Sequence, residues 1–236
     1  MNMQKNSKRI LLFDIDGTLI DLTYEDTACL KRALESVYGQ AGPINNYRMS
    51  GKTHWRIITD LMQLAGLDPG TIDVSLQDAF GAYSQQVEMA QTAFSLLMLP
   101  GVIALLNQLS AHPDFLLGLV TGNVREAAFH KLQHAGINPG LFTFGAFGSE
   151  HIDRNQLPAL ALYRLEQQLG IPIAPESAIV IGDTPADIAC ARHAGVQAMG
   201  VATGPYSRQA LADHAPDFLF DDLADTQAVM KTLASF

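Results

Sequence analysis

Cysteine is nearly absent: the 236-residue chain has only Cys29 and Cys190, far apart and in no metal-ligand spacing. That excludes a disulfide framework and a thiolate zinc site, and both thiols are expected to pack as small apolar groups. Basic charge is also scarce, with 15 Lys and Arg against 24 Asp and Glu and a net charge of −9. This balance argues against a chain held to a nucleic acid polymer by a general basic field. It leaves room for a small anion, which backbone N–H groups, a helix terminus and a metal ion bind locally. No apolar run is long enough to span a membrane, and the polar start Met1 to Arg9 precedes too short an apolar run for a secretory signal. The expected location is cytoplasmic. There is no repeat or low-complexity tract.

What is present is a full core's worth of apolar residues, 48% of the chain, enough for one large domain or a domain with a smaller insertion. Short β-rich runs recur between helical patterns at Arg9 to Phe13, Phe115 to Val120, Leu141 to Phe147, Ala178 to Ile181, Ala198 to Val201 and Asp217 to Phe220. Such alternation predicts an α/β fold whose parallel strands are joined by crossover helices and covered on both faces. Ligands of open sheets of this kind sit beyond the carboxyl ends of the strands. The rhythm breaks between about Asp21 and Leu97. There Leu30, Leu34 and Val37, then Ile57 to Ala65, then Ile72 to Thr92 read as three successive helices, a helical insertion placed as a lid. Pro100-Gly101 marks the return, opening a helix over Val102 to Leu109.

The residues after the strands carry the chemistry. Asp14-Ile15-Asp16-Gly17-Thr18 follows the first strand, and two carboxylates there are costly unless they meet a cation or donors. Thr121-Gly122-Asn123 offers a hydroxyl and turn N–H groups to a phosphate, while Asn123 with Glu126 also reads as a capping box. Gly182-Asp183-Thr184-Pro185-Ala186-Asp187 brings a third strand-end acid; Thr184 suits an N-cap, Pro185 the first helical position and Asp187 the favourable end of the helix dipole. Three converging acids call for a hard divalent ion, most naturally magnesium. No lysine occurs between Lys131 and Lys231, so Arg154, before the helix Leu157 to Leu169, is the candidate cation for a charged substrate, with His151 behind it.

Taken in order, these segments resemble the four signature motifs of the haloacid dehalogenase-like hydrolase superfamily, closest to its phosphoglycolate phosphatase-like branch: Asp14 to Thr18, Thr121 to Asn123, Arg154 with Pro158, and Gly182 to Asp187. The resemblance implies a Rossmann-like core, residues 1–20 and 97–236, with a helical cap domain at 21–96. It also implies a magnesium-dependent phosphatase acting on a small phosphomonoester, phosphoglycolate-like or a sugar or nucleotide phosphate. Asp14 would be the nucleophile forming an aspartyl phosphate and Asp16 the acid and base. Thr121, Gly122, Asn123 and Arg154 would bind phosphate. Asp14, Asp16 through its backbone carbonyl, Asp183 and, through water, Asp187 would serve the metal. The third motif departs from the family in carrying Arg154 where lysine is commoner, a fork in place of a point charge.

The cap is expected to select the substrate, and Lys52, His54 and Arg56, with Arg48, form a local basic cluster there; Trp55 reads as cap interior. A phosphomutase of the β-phosphoglucomutase type shares core, cap and both aspartates. A receiver-like phosphoacceptor signalling domain also has strand-end acids and a Thr, but gives no reason for the insertion or for Asp16.

Overall fold

The structure is a computed structural model that describes residues 8–21, 24–90 and 97–236. Most of the polar start and the last residues of the Ile72 to Thr92 pattern lie outside the described residues. Among those described, six strands form one parallel sheet in the order β3-β2-β1-β4-β5-β6. They are β1 Arg9–Phe13, β2 Phe115–Thr121, β3 Phe144–Phe147, β4 Ala178–Gly182, β5 Gln197–Val201 and β6 Phe218–Phe220. The chain is therefore the Rossmann-like α/β fold, and the order reverses beside β1, between β1 and β4.

The pleat divides the core. Ile10 and Leu12 pack with Leu157, Ala161 and Ile188 of α6 (Leu157–Leu169) and α7 (Pro185–His193). Leu11 and Phe13 point to the opposite face, with Leu105, Leu132 and Val229 of α4 (Val102–Ala111), α5 (Arg125–His134) and α9 (Thr226–Leu233). Both cysteines are buried, and burial pushes the Cys190 thiol up to about 12. Among the described residues no helix is long and apolar enough to cross a membrane.

Between β1 and α4 the described residues form three α-helices, α1 (Tyr24–Tyr38), α2 (His54–Leu64) and α3 (Pro69–Met89). The chain leaves and re-enters side by side, with an antiparallel bridge between Ile20 and Met98 and a 2.9 Å bond from Asp21 N to Leu97 O. Leu30 and Leu34, Ile58 and Leu61, and Leu76 and Val87 meet in one apolar cluster continuous with the β1 face. Trp55 lies edge-on to Phe80 within it. The third helix begins before Ile72, because Asp68 accepts from Thr71 N at 3.1 Å and Pro69 takes the first turn. It continues through Gly81, whose missing side chain faces open space.

One strand expectation is corrected. Residues Pro139–Leu141 form a 3-10 turn capped by Asn138, and β3 starts only at Phe144. Proline cannot donate to a ladder, and the Asn138 side chain holds Gly140 N at 2.9 Å instead.

Candidate active site

Asp14 and Asp183 stand just past neighbouring strands, Asp14 N still bonded to Ile181 O at 2.9 Å. Asp187 joins them from the first turn of α7, and the three buried carboxylates offer oxygens all within 4.8 Å of one another. Arg154 lies in the short 3-10 turn Arg154–Gln156 ahead of α6, and its Nη2 reaches Asp14 Oδ2 at 3.1 Å while also binding Asp187 Oδ1. One guanidinium thus faces three acids. Burial raises the Asp14 carboxyl from 3.8 to about 6; Arg154 opposes this, and Asp187 and Asp16 reinforce it. Burial, then Asp187 and Asp14, push Asp183 well above the carboxylate range.

Asp14 Oδ1 and Asp183 Oδ2 are buried without a hydrogen-bond partner among the described residues. Asp183 Oδ1 accepts from Thr18 Oγ1 at 3.0 Å, and a Cβ on Gly17, which has φ +82°, or on Gly204 would overlap the Asp183 carboxylate. Two orphaned oxygens among three crowded acids are the donor set of a hard divalent cation, so the residues fit the expected metal. Asp187 contributes more than helix capping: its Oδ2 accepts from Thr184 N at 3.0 Å and Thr184 Oγ1 at 2.7 Å, and its Oδ1 takes Arg154.

Asp16 belongs to a second cluster. Its carboxylate turns to Asn123 Nδ2 at 2.6 Å and to Lys131 Nζ at 3.1 and 3.2 Å, outside the group of three acids. The capping-box reading of Asn123 and Glu126 is corrected here. Val124 is the N-cap of α5, and the Asn123 side chain bonds Asp16, Thr121 Oγ1 at 2.9 Å and Lys131 at 2.8 Å. A charged acid and a buried ammonium attract that amide more strongly than an exposed helix end does.

Lys131, the last lysine before Lys231, is a site residue that the strand-end motifs do not point to. It is fully buried, and its ammonium also meets Asp26 of α1 at 3.0 Å. Burial lowers its pKa, but Asp16 and Asp26 outweigh that and hold it above its ordinary value. Asp26 in turn accepts from Tyr83 Oη of α3 at 2.5 Å. The signal available was spacing: Ala127, Ala128 and Leu132 are the buried face of α5, and Lys131 falls on it.

A cavity of about 160 Å³ opens between the two clusters, with Asp14, Asp16, Thr121, Gly122, Arg154 and Asp183 among its walls. Asp26, Lys52, His54 and Ile57 wall it from the insertion. The α2 start is fastened to the core loops: His54 N bonds Gly122 O at 2.8 Å, Trp55 N bonds Gly148 O at 3.0 Å and Thr53 Oγ1 bonds Ile152 O at 2.8 Å. The basic cluster is dispersed by this docking. His54 is buried, stacked on Tyr83 at 4.4 Å, with Nδ1 2.9 Å from Gly122 O, and burial holds its pKa low despite Asp26. Arg56 turns to Asp60 at 3.6 Å, and Arg48 lies over the Tyr206 ring. Lys52 walls the cavity, its Nζ bonding Tyr47 Oη at 2.6 Å, 3.5 Å from Asp60. His151 stays outside the cavity walls and bonds the Asp153 backbone at 3.0 Å.

Residues 11–201 match a family model described as haloacid dehalogenase-like hydrolase. The chain is 28% identical over 224 residues, 94% of its length and 98% of the relative's, to a phosphoglycolate phosphatase of Synechococcus elongatus. It is 25% identical to the pyrophosphatase PpaX of Bacillus pumilus, covering 97% of this chain and 99% of that one. Its fold is shared with a hydrolase from Pseudomonas syringae, with a TM-score of 0.71 at 20% identity, covering 97% of this chain and 100% of that one.

Proposed function

The chain belongs to the haloacid dehalogenase-like hydrolases, and from that premise we propose that it is a phosphatase that hydrolyses a small phosphomonoester with the help of magnesium. The observation that carries the reading is Asp14, a residue of the cavity wall: Arg154 fixes its Oδ2, while its Oδ1 has no partner among the described residues and is the atom proposed to attack phosphorus. Attack forms the bond from Asp14 to phosphorus and breaks the ester P–O bond, whose electron pair leaves with the alcohol oxygen. Asp16 supplies the proton that this oxygen takes up. Its carboxylate then receives a proton from the water that hydrolyses the aspartyl phosphate, returning both aspartates to their starting state. Thr121, the Asn123 N–H and Arg154 hold the non-reacting phosphate oxygens, the last as a bidentate-capable fork. A magnesium ion held by Asp14, the Asp16 backbone carbonyl and Asp183, with Asp187 behind it, would supply charge neutralisation beside the nucleophile.

Residues 21–96 act in this reading as the cap that completes the cavity and chooses the leaving group. Lys52 is its polar contact, His54 and Trp55 are structural, and Arg56 serves Asp60. The small cavity and the phosphoglycolate phosphatase relative support a compact ester such as phosphoglycolate. The test is a panel of phosphomonoesters assayed for free phosphate with magnesium and with EDTA. Magnesium-dependent release that disappears in Asp14→Asn is expected. Faster halide release from a haloacid, or return of the phosphoryl group to a sugar without free phosphate, would overturn it.

A further inference from the structure

The phosphate chemistry above leaves one buried group unused. Lys131 sits in the middle of α5 with none of its side chain in water, and its ammonium meets Asp16, Asn123 and Asp26 within 3.2 Å. Removing an ammonium from water costs several kcal/mol, and an apolar side chain of similar size would fill the same space without that cost. Packing therefore does not account for a lysine here. Its partners do. Lys131 approaches both oxygens of Asp16, and Asn123 takes a second bond to one of them, so the carboxylate is held from two sides.

Asp26 adds a condition. It lies in the first turns of α1, takes the Tyr83 hydroxyl from α3, and shares Lys131 with Asp16. Tyr83 stacks on His54 of α2, which is bonded to Gly122 through both its backbone and its ring. Asp26 of α1 meets the ammonium directly, and α3 and α2 are joined to Asp26 in sequence through Tyr83 and His54.

We infer that Lys131 is the positioning residue for Asp16, and that Asp26 ties this positioning to the docked insertion. The inference rests on the phosphatase reading. Lys131 touches neither phosphorus nor the leaving oxygen. It sets where Asp16 stands when the P–O bond breaks, its electron pair stays on the alcohol oxygen, and the Asp16 proton passes to that oxygen.

The experiment compares kcat/KM for phenyl phosphate, whose leaving oxygen needs the proton, with p-nitrophenyl phosphate, whose leaving group departs readily without one, in magnesium. Lys131→Met is expected to lose about 100-fold on phenyl phosphate and less than about tenfold on p-nitrophenyl phosphate. A purely structural lysine would lower both equally, and equal losses would overturn the inference alone. Should Lys131→Met fail to fold, Asp26→Asn carries the same test. It keeps the shape and an acceptor for Tyr83, and is expected to show the same bias at smaller amplitude; equal losses there overturn the inference too. A wild-type protein that released phosphate from no ester would remove the phosphatase reading, and this inference with it.

Discussion

Replacing Asp14 by Asn keeps the shape of the side chain and removes a charge that the fold holds at a cost. The folded carboxyl keeps its proton up to about pH 6, against 3.8 for the ordinary group. Between these values the native state binds more protons than the unfolded chain, so stability falls as pH rises through that window. Above it the whole cost is present, about 3 kcal/mol at about 1.4 kcal/mol for each tenfold change in the proton equilibrium. Asp14→Asn should therefore stabilise the metal-free protein by up to about 3 kcal/mol at pH 7.5, roughly 6–12 °C in Tm for a chain of this length, and by little at pH 4. The loss of the Arg154 pair does not reverse the sign, because that attraction already opposes burial in setting the value of about 6. The assay is urea or thermal unfolding in EDTA at both pH values. Magnesium at about 1,000 times Kd should invert the order, since it adds about 4.1 kcal/mol to the protein that binds it and little to the variant. A variant no more stable than wild type in EDTA at pH 7.5 would refute the reasoning.

Arg154→Met leaves Asp14 and Asp187 buried without their cation and should cost about 3–5 kcal/mol in urea unfolding, with kcat/KM lower by at least about 100-fold. A change under 1 kcal/mol, roughly the worth of an exposed pair, would contradict the buried geometry. Gly122→Ala sets a Cβ against the Lys52 carbonyl, so the α2 start must lift from the core and activity should fall about tenfold or more; unaltered kinetics would show that the contact is slack. His54 is held neutral by burial, its folded pKa below 6.5, so its share of stability is present above pH 6.5 and is lost as pH falls below it. Stability measured from pH 7.5 to 5 should decline more steeply in wild type than in His54→Phe, and parallel curves would count against the buried neutral ring.

Much of this was legible along the chain, for a physical reason. Charge at the end of an apolar run is expensive, so Asp14 and Asp183 announce themselves, and the alternation of runs and helical patterns leaves few sheet arrangements. Local signals misled where two of them compete for one residue. Asn123 three residues before Glu126 satisfies the spacing of a cap, yet the pull of Asp16 and Lys131, 107 positions away in one case, decides where the amide points. Leu141 is as apolar as a strand residue, but the preceding Asn138-Pro139 fixes a turn first. Lys131 was hidden by the ordinary habit of lysines to lie in water; only its place on the Ala127-Ala128-Leu132 face hinted otherwise. Asp26 and Tyr83 had no hint, because their roles exist only once α1, α3 and α5 are brought together. Arg56 looked like part of a basic patch until Asp60, one turn along, claimed it.

Two of the bonds that hold α2 to the core loops join main chain to main chain, the Gly122 and Gly148 carbonyls receiving its first N–H groups. Every residue but proline offers a peptide N–H, so these two bonds do not depend on which side chains flank them. The Lys52 and Ile57 side chains on the cavity wall can therefore be exchanged without breaking these two bonds. Such a joint recommends Lys52 and Ile57 as the first positions to randomise when retargeting this scaffold.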